Sequence, residues 1–218
     1  MTLPACFSDL RDATLDSAPA AGAGWLAAAL DTHEALDSPR FVAAWSSAGR
    51  KLGRGPLKLG RAVMAGSGAP ETGWLADTAG RALMLVAGAD ATPLERQPEA
   101  VAALHRTGEE RERIALVRAL GLLPDAGRFA GIAEEAVRGS FMSVIEALAC
   151  ENPYVAAHLP ELPFNHLVMK CVYNEIALAR IEGLASRVGP ELRRIAAAYA
   201  SERRAAGRSV PADLDLLV

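Results

Sequence analysis

Apolar residues recur at helical spacing along most of the chain. From Phe129 they occupy positions i, i+3, i+4, i+7 and i+8, and the segments that begin at Phe41, Leu116 and Phe164 follow a similar spacing. Such a pattern places the apolar side chains on one face of a helix. No segment alternates convincingly between apolar and polar residues, as a half-buried strand would. We therefore predict an all-α fold.

Several helix ends are marked by residues that favour caps. Ser38 followed by Pro39 predicts an N-cap and a first helical residue, and Gly53 is expected to end the same helix. Asp125 is expected to cap a later helix through its side chain. The apolar spacing also predicts helices over residues 25–36 and 74–86.

Short similarities between segments suggest a repeated unit. Residues 117–120 (Val-Arg-Ala-Leu) resemble residues 145–148 (Ile-Glu-Ala-Leu), and residues 81–83 resemble both less closely. Helical hairpins of this size bury a face only against a neighbouring hairpin. We predict a short HEAT-like superhelix, with an irregular bundle as the alternative. We predict that the chain consists of a partly ordered N-terminal lead-in over residues 1–23 and one helical domain over residues 24–218.

Composition narrows the class of protein. The chain has 218 residues, and its low aromatic content of 5% favours close-packed helices over sheets. Its formal net charge of −3 argues against a general nucleic-acid binder, which would normally be strongly basic. The widely spaced Cys6, Cys150 and Cys171 form no CxxC pair, so we expect buried, reduced thiols and no zinc site or disulfide. Residues 1–9 lack the basic region of a signal peptide. We predict a cytoplasmic protein, with peripheral contact to the inner membrane as an open alternative.

A basic segment is the first candidate binding surface. Residues 38–70 contain no Asp or Glu. Glycines there, Gly60 among them, would let backbone N–H groups approach an anion. The cations proposed to bind it are Arg50, Lys51, Arg54 and Lys58. The segment is either a solvated loop or a patch for a phosphorylated ligand, an acidic partner or an anionic membrane surface.

A polar stripe is the second candidate. His166, Lys170 and Tyr173 are spaced i, i+4 and i+7, so they share one helix face. The adjoining polar residues of this candidate ligand site are Asn152, Tyr154 and Asn165. A His beside a Lys is able to do acid–base work, but no carboxylate lies in register with them. The alternative is a solvent-facing stripe without a ligand.

The sequence carries no motif of a known catalytic or metal site. The four histidines are far apart, and no HxxxH or HExxH spacing occurs. No GxSxG nucleophile turn, Walker motif or dinucleotide-binding glycine pattern is present. We therefore predict no catalytic residue, no metal ligand and no cofactor from the residues alone.

Three motifs together resemble the EboA family. They are residues 151–154 (Glu-Asn-Pro-Tyr), residues 162–170 (Leu-Pro-Phe-Asn-His-Leu-Val-Met-Lys) and residues 198–211, and the resemblance extends over about residues 40–217. The chain departs from the family pattern at residues 174–177, where a Gly-Val-Pro turn is expected. This departure puts in doubt a ligand role for the loop after Tyr173.

The resemblance implies a bacterial gene cluster that accompanies secondary-metabolite pathways and moves a metabolite toward the cell envelope. It implies as partners the other proteins of that cluster, a membrane prenyltransferase among them, together with a small metabolite and no nucleic acid. It carries over no catalytic residue. We predict a non-catalytic metabolite-traffic component that binds a precursor or scaffolds its partners. The alternative is an enzyme for a prenylated or cyclitol-like intermediate, with His166 or Lys170 as acid or base. A weaker alternative is a structural homodimer that exchanges its C-terminal tail.

Overall fold

The computed structural model describes residues 6–59, 61–71 and 73–217. The α-helices in this part of the chain are α1 Phe7–Ser17, α2 Ala20–Asp31, α3 Pro39–Leu52, α4 Arg61–Met64, α5 Ala76–Asp90, α6 Gln97–Thr107, α7 Glu110–Ala119, α8 Ala130–Arg138, α9 Met142–Ala149, α10 Tyr154–His158, α11 Glu161–Tyr173, α12 Leu184–Arg187 and α13 Pro190–Ala205. Four 3₁₀-helices cover Leu120–Leu122, Ala126–Phe129, Leu178–Arg180 and Ala212–Leu217. No strand occurs within these described residues, so the all-α prediction is confirmed.

The longer helices pack in an order that follows the chain. α3 packs against α5, α5 against α7, α7 against α9, α9 against α11, and α11 against α13. α1 and α2 also contact α5, while α6 and α8 contact each other. The similar segments 81–83, 117–120 and 145–148 therefore lie on successive members of this series. A HEAT-like superhelix stays a prediction, because contacts between neighbours are also compatible with an irregular bundle.

Helix α3 forms as its sequence predicts. The Ser38 hydroxyl accepts a hydrogen bond from the Phe41 backbone N–H at 3.0 Å, and Pro39 is the first helical residue. The apolar face is buried, namely Phe41, Trp45, Ala48 and Leu52. Gly53 ends the helix at a φ of 72°, a conformation that glycine adopts without the steric cost a side chain would add.

Other predicted helix boundaries are wrong by several residues. α2 ends at Asp31 rather than at Leu36; Leu36 is buried beyond the helix, where its backbone N–H donates to the Thr92 hydroxyl at 2.9 Å. α5 runs on to Asp90, because its final turns are buried as well. Asp125 makes no side-chain cap, since its backbone is left-handed with a φ of 50°. An apolar pattern shows which residues are buried, and these examples show that it does not fix where a helix stops.

The predicted N-terminal lead-in, residues 1–23, contains one complete helix and the start of a second. Residues 7–17 form α1, and α2 begins at Ala20. Leu10 and Thr14 are buried, and α1 packs against α5. This region holds apolar side chains in the core, which is the physical reason that it is ordered. The placement of residues 1–5 lies outside the description, and the division into lead-in and single domain stays a prediction.

Helix α5 is buried on almost all sides and contains charged residues. The Asp77 carboxylate is fully buried and lies 2.7 Å from an Arg111 nitrogen and 3.3 Å from an Arg81 nitrogen. Arg81 also donates to the Trp45 backbone carbonyl at 3.1 Å, which joins α5 to α3, while Arg111 joins it to α7. Burial lowers the pKa of Arg81, whereas the hydrogen bond that Arg111 donates to Asp77 raises the pKa of Arg111. No helix among the described residues is both long and apolar enough to cross a membrane.

Candidate functional site

Asn152 lies at the break between α9 and α10 and is fully buried. Its side-chain amide donates to the Val117 and Ala147 backbone carbonyls, each at 3.3 Å, and its Oδ1 accepts from the Tyr154 N–H at 3.2 Å. Both carbonyls belong to the last turns of their helices, α7 and α9, where the helix supplies no partner. Asn152 therefore caps two helix ends and has no amide group free for a ligand.

Tyr154 begins α10 and is buried at 1% exposure. Its hydroxyl donates to the Ala126 carbonyl at 2.9 Å, and its ring lies 4.8 Å from that of His158. Burial raises the pKa of this phenol. Tyr154 thus connects the break to the 3₁₀-helix before α8, and it is a structural residue in this arrangement.

Glu151 precedes this pair and also acts within the fold. Its backbone is left-handed, with a φ of 49°. Its carboxylate accepts from the Arg180 guanidinium at 2.7 and 3.0 Å, and Arg180 also contacts Glu146. The hydrogen bonds from Arg180 lower the pKa of Glu151. Glu151 is therefore held by Arg180 within the fold.

The residues of the polar stripe on α11 do not converge on one site. His166 and Tyr173 are exposed, whereas Asn165 is buried and its Oδ1 has no partner among the described residues. The Lys170 ammonium donates to the Gly139 carbonyl at 2.6 Å, which caps the end of α8. Tyr173 is 52% exposed and packs edge-on against Tyr199, at 5.0 Å between ring centroids. Burial, followed by Tyr199 and Glu202, raises the pKa of Tyr173.

The basic segment comprises α3 and the chain that follows it. Its cations, Arg50, Lys51, Arg54 and Lys58, are all exposed. The backbone of the segment is held against the start of α5, where the Gly55 carbonyl accepts from the Ala76 N–H at 2.9 Å. Gly60, predicted to approach an anion, lies outside the described residues. The basic segment includes α3, and α5, α7 and α9 separate α3 from α11 in the packing order, so the two predicted surfaces do not form one site.

A cavity between α2, α3 and α5 was not predicted from the sequence. It has a volume of about 250 Å³ and a mainly apolar lining. The residues that line it are Trp25, Ala28, Ala29, Leu30, Thr32, His33, Glu34, Arg40, Phe41, Ala44, Met84, Ala87 and Gly88. Arg40 and Glu34 form an ion pair at 3.4 Å among these residues. The available signal was the run of alanines on α2, since small residues on facing helices leave space between them.

A second cavity shares a wall with the first. It has a volume of about 420 Å³ and lies between α1, α2 and α5. Leu30, His33 and Ala87 line both cavities. Phe7 and Leu15 supply apolar surface to the second cavity, and Arg11, Asp12, Asp31 and Asp90 supply charge. The two cavities are therefore neighbours on one side of the molecule.

The cysteines fit the prediction of buried, reduced thiols. All three are free and buried, and burial raises the pKa of Cys150 to about 11 and that of Cys171 to about 12. Thiols with such pKa values are poor nucleophiles at neutral pH. Among the described residues, no group of three His, Cys, Asp or Glu side chains is arranged to hold a metal ion.

Comparison with known proteins identifies one family. The model of the family described as "Metabolite traffic protein EboA" matches residues 13–218, nearly the whole chain. No curated protein and no solved structure matches the chain. The resemblance found in the sequence motifs is therefore confirmed, and the family match also includes part of α1.

Proposed function

The chain belongs to the EboA family, described as metabolite traffic proteins, and we propose on that premise that it binds a small metabolite without transforming it. The binding site in this proposal is the cavity between α2, α3 and α5. The observation that carries it is a mainly apolar space of about 250 Å³ whose lining includes an Arg–Glu ion pair. Small-molecule sites characteristically combine an apolar lining with a few polar groups that orient the ligand.

The lining indicates the class of ligand. Trp25, Phe41 and Met84 provide apolar contact surface. Arg40 is 87% exposed, so its guanidinium is accessible to an anionic group on a ligand. The expected ligand has an apolar body that fits the cavity and one acidic or polar group near Arg40. The neighbouring cavity beyond Leu30 would accept a longer apolar portion.

The enzyme alternative receives less support from the geometry. It requires His166 or Lys170 as an acid or base inside a closed pocket, with a carboxylate in reach. His166 is exposed, and Lys170 is bonded to the carbonyl that ends α8. Binding without catalysis is therefore the better-supported function.

The proposal extends to delivery of the ligand. The recipient would be another protein of the same gene cluster, such as a membrane prenyltransferase, reached from the cytoplasm at the inner membrane. Supporting this step, Arg50, Lys51, Arg54 and Lys58 are exposed and suit an acidic or anionic surface. Co-purification of the two proteins at low and high salt tests this part, since a charge-dependent contact weakens at high salt.

Binding to the cavity is testable with a fluorescent probe. Anilinonaphthalene sulfonate has an apolar aromatic body and one anionic group, so it matches the expected ligand class. We expect saturable fluorescence with the wild-type protein. Ala44→Leu should weaken binding by about tenfold or more, because the added side chain would occupy the cavity.

The matched control is Ala43→Leu on the same helix. Ala43 is exposed and does not line the cavity. Both variants replace Ala by Leu within α3, so they change the helix propensity by nearly the same amount. We expect Ala43→Leu to bind the probe as the wild type does. Equal probe affinities for Ala44→Leu and the wild type would show that the cavity is not the binding site.

A further inference from the structure

A different cavity, which we call the His105 cavity, lies between α6, α7, α8 and α9. It has a volume of about 250 Å³. Its lining consists of His105, Arg113, Glu135, Ala136, Arg138, Gly139, Phe141 and Val144. Four of these side chains are ionisable, namely His105, Arg113, Glu135 and Arg138. None of them belongs to a site predicted from the sequence.

His105 is the least satisfied polar side chain of this cavity. The residue is 4% exposed, and neither ring nitrogen has a hydrogen-bond partner among the described residues. The nearest carboxylate oxygen, from Glu135, lies 3.7 Å from Nδ1, which is too long for a hydrogen bond. A buried donor or acceptor without a partner destabilises a fold, so such groups are rare without a ligand or water. His105 lines the cavity, where a ligand would supply that partner.

Cations surround the same space. Backbone carbonyls of Gly108 and Arg106 hold the Arg113 guanidinium, at 2.8 and 3.0 Å, but they do not neutralise its charge. Arg113 also lies over the Phe141 ring, 5.1 Å from the centroid. Arg138 is 68% exposed and only loosely paired with Glu134, at 3.7 Å. The Lys170 ammonium is bonded to the Gly139 carbonyl, which forms part of the cavity wall.

We propose that the His105 cavity binds a small oxyanion, the carboxylate or phosphate group of a metabolite. The oxyanion would accept hydrogen bonds from a ring N–H of His105 and from Arg113 and Arg138. Arginine is well suited to this task, because its guanidinium donates two parallel hydrogen bonds to a carboxylate or phosphate. This site is separate from the proposed metabolite cavity and does not depend on it.

Glu135 gives the proposed site a pH dependence. An oxyanion and the Glu135 carboxylate repel each other unless a proton on His105 separates their charges. The charged groups around the imidazole are Arg106 on α6, Arg113 on α7, Glu135 and Arg138 on α8, and Lys170 on α11. Binding should therefore take up a proton and be tighter at pH 6 than at pH 8, in about the range where histidine titrates.

The test uses the imidazole signals of the whole protein in NMR spectra. Sodium phosphate and sodium acetate are titrated separately, with sodium chloride at the same ionic strength as the reference. The chain has four histidines, and the spectrum of His105→Gln assigns the signal of His105. We expect that signal alone to move, saturably and with a Kd in about the millimolar range. The phosphate and acetate arms show which oxyanion the site prefers. Equal shifts of all four signals, or no shift with either salt, would overturn the proposal.

Two variants separate binding from folding. His105→Leu removes the donor, and Arg138→Gln removes an exposed cation. Because His105→Leu also lacks the reporting imidazole, affinity is read here from the phosphate dependence of the free energy of unfolding, and we expect it to fall by about tenfold and about threefold, respectively. The matched control is Arg194→Gln, because Arg194 is also 68% exposed and also pairs with a Glu on its own helix. If His105→Leu does not fold, Arg138→Gln still decides the question. Equal affinities for Arg138→Gln and Arg194→Gln would contradict the proposed site. Ala44→Leu, which changes the proposed metabolite cavity, should leave the phosphate-induced shift of the His105 signal unchanged.

Discussion

The break between α9 and α10 and the His105 cavity both contain buried polar side chains, but they use them differently. At the break, Asn152 and Tyr154 are hydrogen-bonded to backbone carbonyls of other elements. In the cavity, both ring nitrogens of His105 are without a partner among the described residues. Buried polar groups with protein partners hold a fold together, whereas those without one have bonding capacity left for a ligand. The two regions therefore differ in whether their buried polar groups have hydrogen-bond partners, and not in how polar they are.

Several polar side chains that are hydrogen-bonded within the protein cap helix C-termini. Asn152 caps α7 and α9, Lys170 caps α8, and Arg187 donates to the Ala156 and Leu159 carbonyls at the end of α10. The last four carbonyls of a helix lack intrahelical partners, and here side chains from elsewhere in the fold provide them. Two polar residues of the family motifs, Asn152 and Lys170, therefore hold helix ends within the packed fold.

The largest effect is expected from Asn152→Ala. The substitution leaves the Val117 and Ala147 carbonyls and the Tyr154 N–H without their partner in a buried place. We expect the free energy of unfolding to fall by about 2–4 kcal/mol, measured by urea denaturation.

The control for this prediction is Asn174→Ala. Asn174 is exposed, and its amide donates to the Lys170 carbonyl at 2.8 Å, where water is able to replace it. We expect a change within about 0.5 kcal/mol. If the two variants lost the same stability, Asn152 would not act as the double cap described here.

A smaller effect is expected from Tyr154→Phe. The change removes one hydroxyl and leaves the Ala126 carbonyl without that donor, while the ring continues to fill its place. We expect a loss of about 1 kcal/mol, seen as a decrease in Tm of about 2–4 °C. Tyr173→Phe serves as the control, because Tyr173 is 52% exposed and should show almost no change. Equal decreases in Tm would remove the distinction between a structural and a surface tyrosine.

The sequence predicted those features that depend on neighbouring residues. α3 is correct in its cap, its buried face and its final glycine, because each follows from contacts within a few residues. The predicted α5 ended too early, because a helix that is buried on almost all sides lacks the alternation of apolar and polar residues that marks where it ends. The pairing of Asp77 with Arg111 joins residues of α5 and α7 that no local pattern connects.

The contacts of the predicted site residues also depend on segments that are distant in the sequence. Asn152 was predicted as a residue of a ligand site. The carbonyls that its amide contacts belong to α7 and α9, so its role as a cap was not visible in the sequence. His105 passed unnoticed because a single histidine on a helix carries no motif. Its burial among α6, α7 and α8 arises only from the fold. A histidine within an otherwise apolar helix face would have been the one available signal.

The smallest effect is expected from the pH dependence of stability through His105. Burial lowers its pKa from the ordinary value of 6.5, an effect that Glu135 opposes and Arg113 reinforces. As the pH falls below about 6.5, the unfolded chain takes up a proton that the folded chain does not, so the free energy of unfolding decreases. Between pH 7.5 and 5.5 we expect this residue to account for a loss of less than about 1 kcal/mol.

Urea denaturation of the wild type and His105→Leu at the two pH values isolates this contribution. The variant should lose less stability on acidification, whereas His166→Gln, which changes an exposed histidine, should behave as the wild type does. Phosphate sharpens the comparison, because an oxyanion bound beside His105 favours its protonated form and would reduce the loss at pH 5.5 relative to chloride. An identical pH dependence in His105→Leu and the wild type would mean that His105 is paired in solution, in the manner of Asn152, and the contrast between the two regions would not hold.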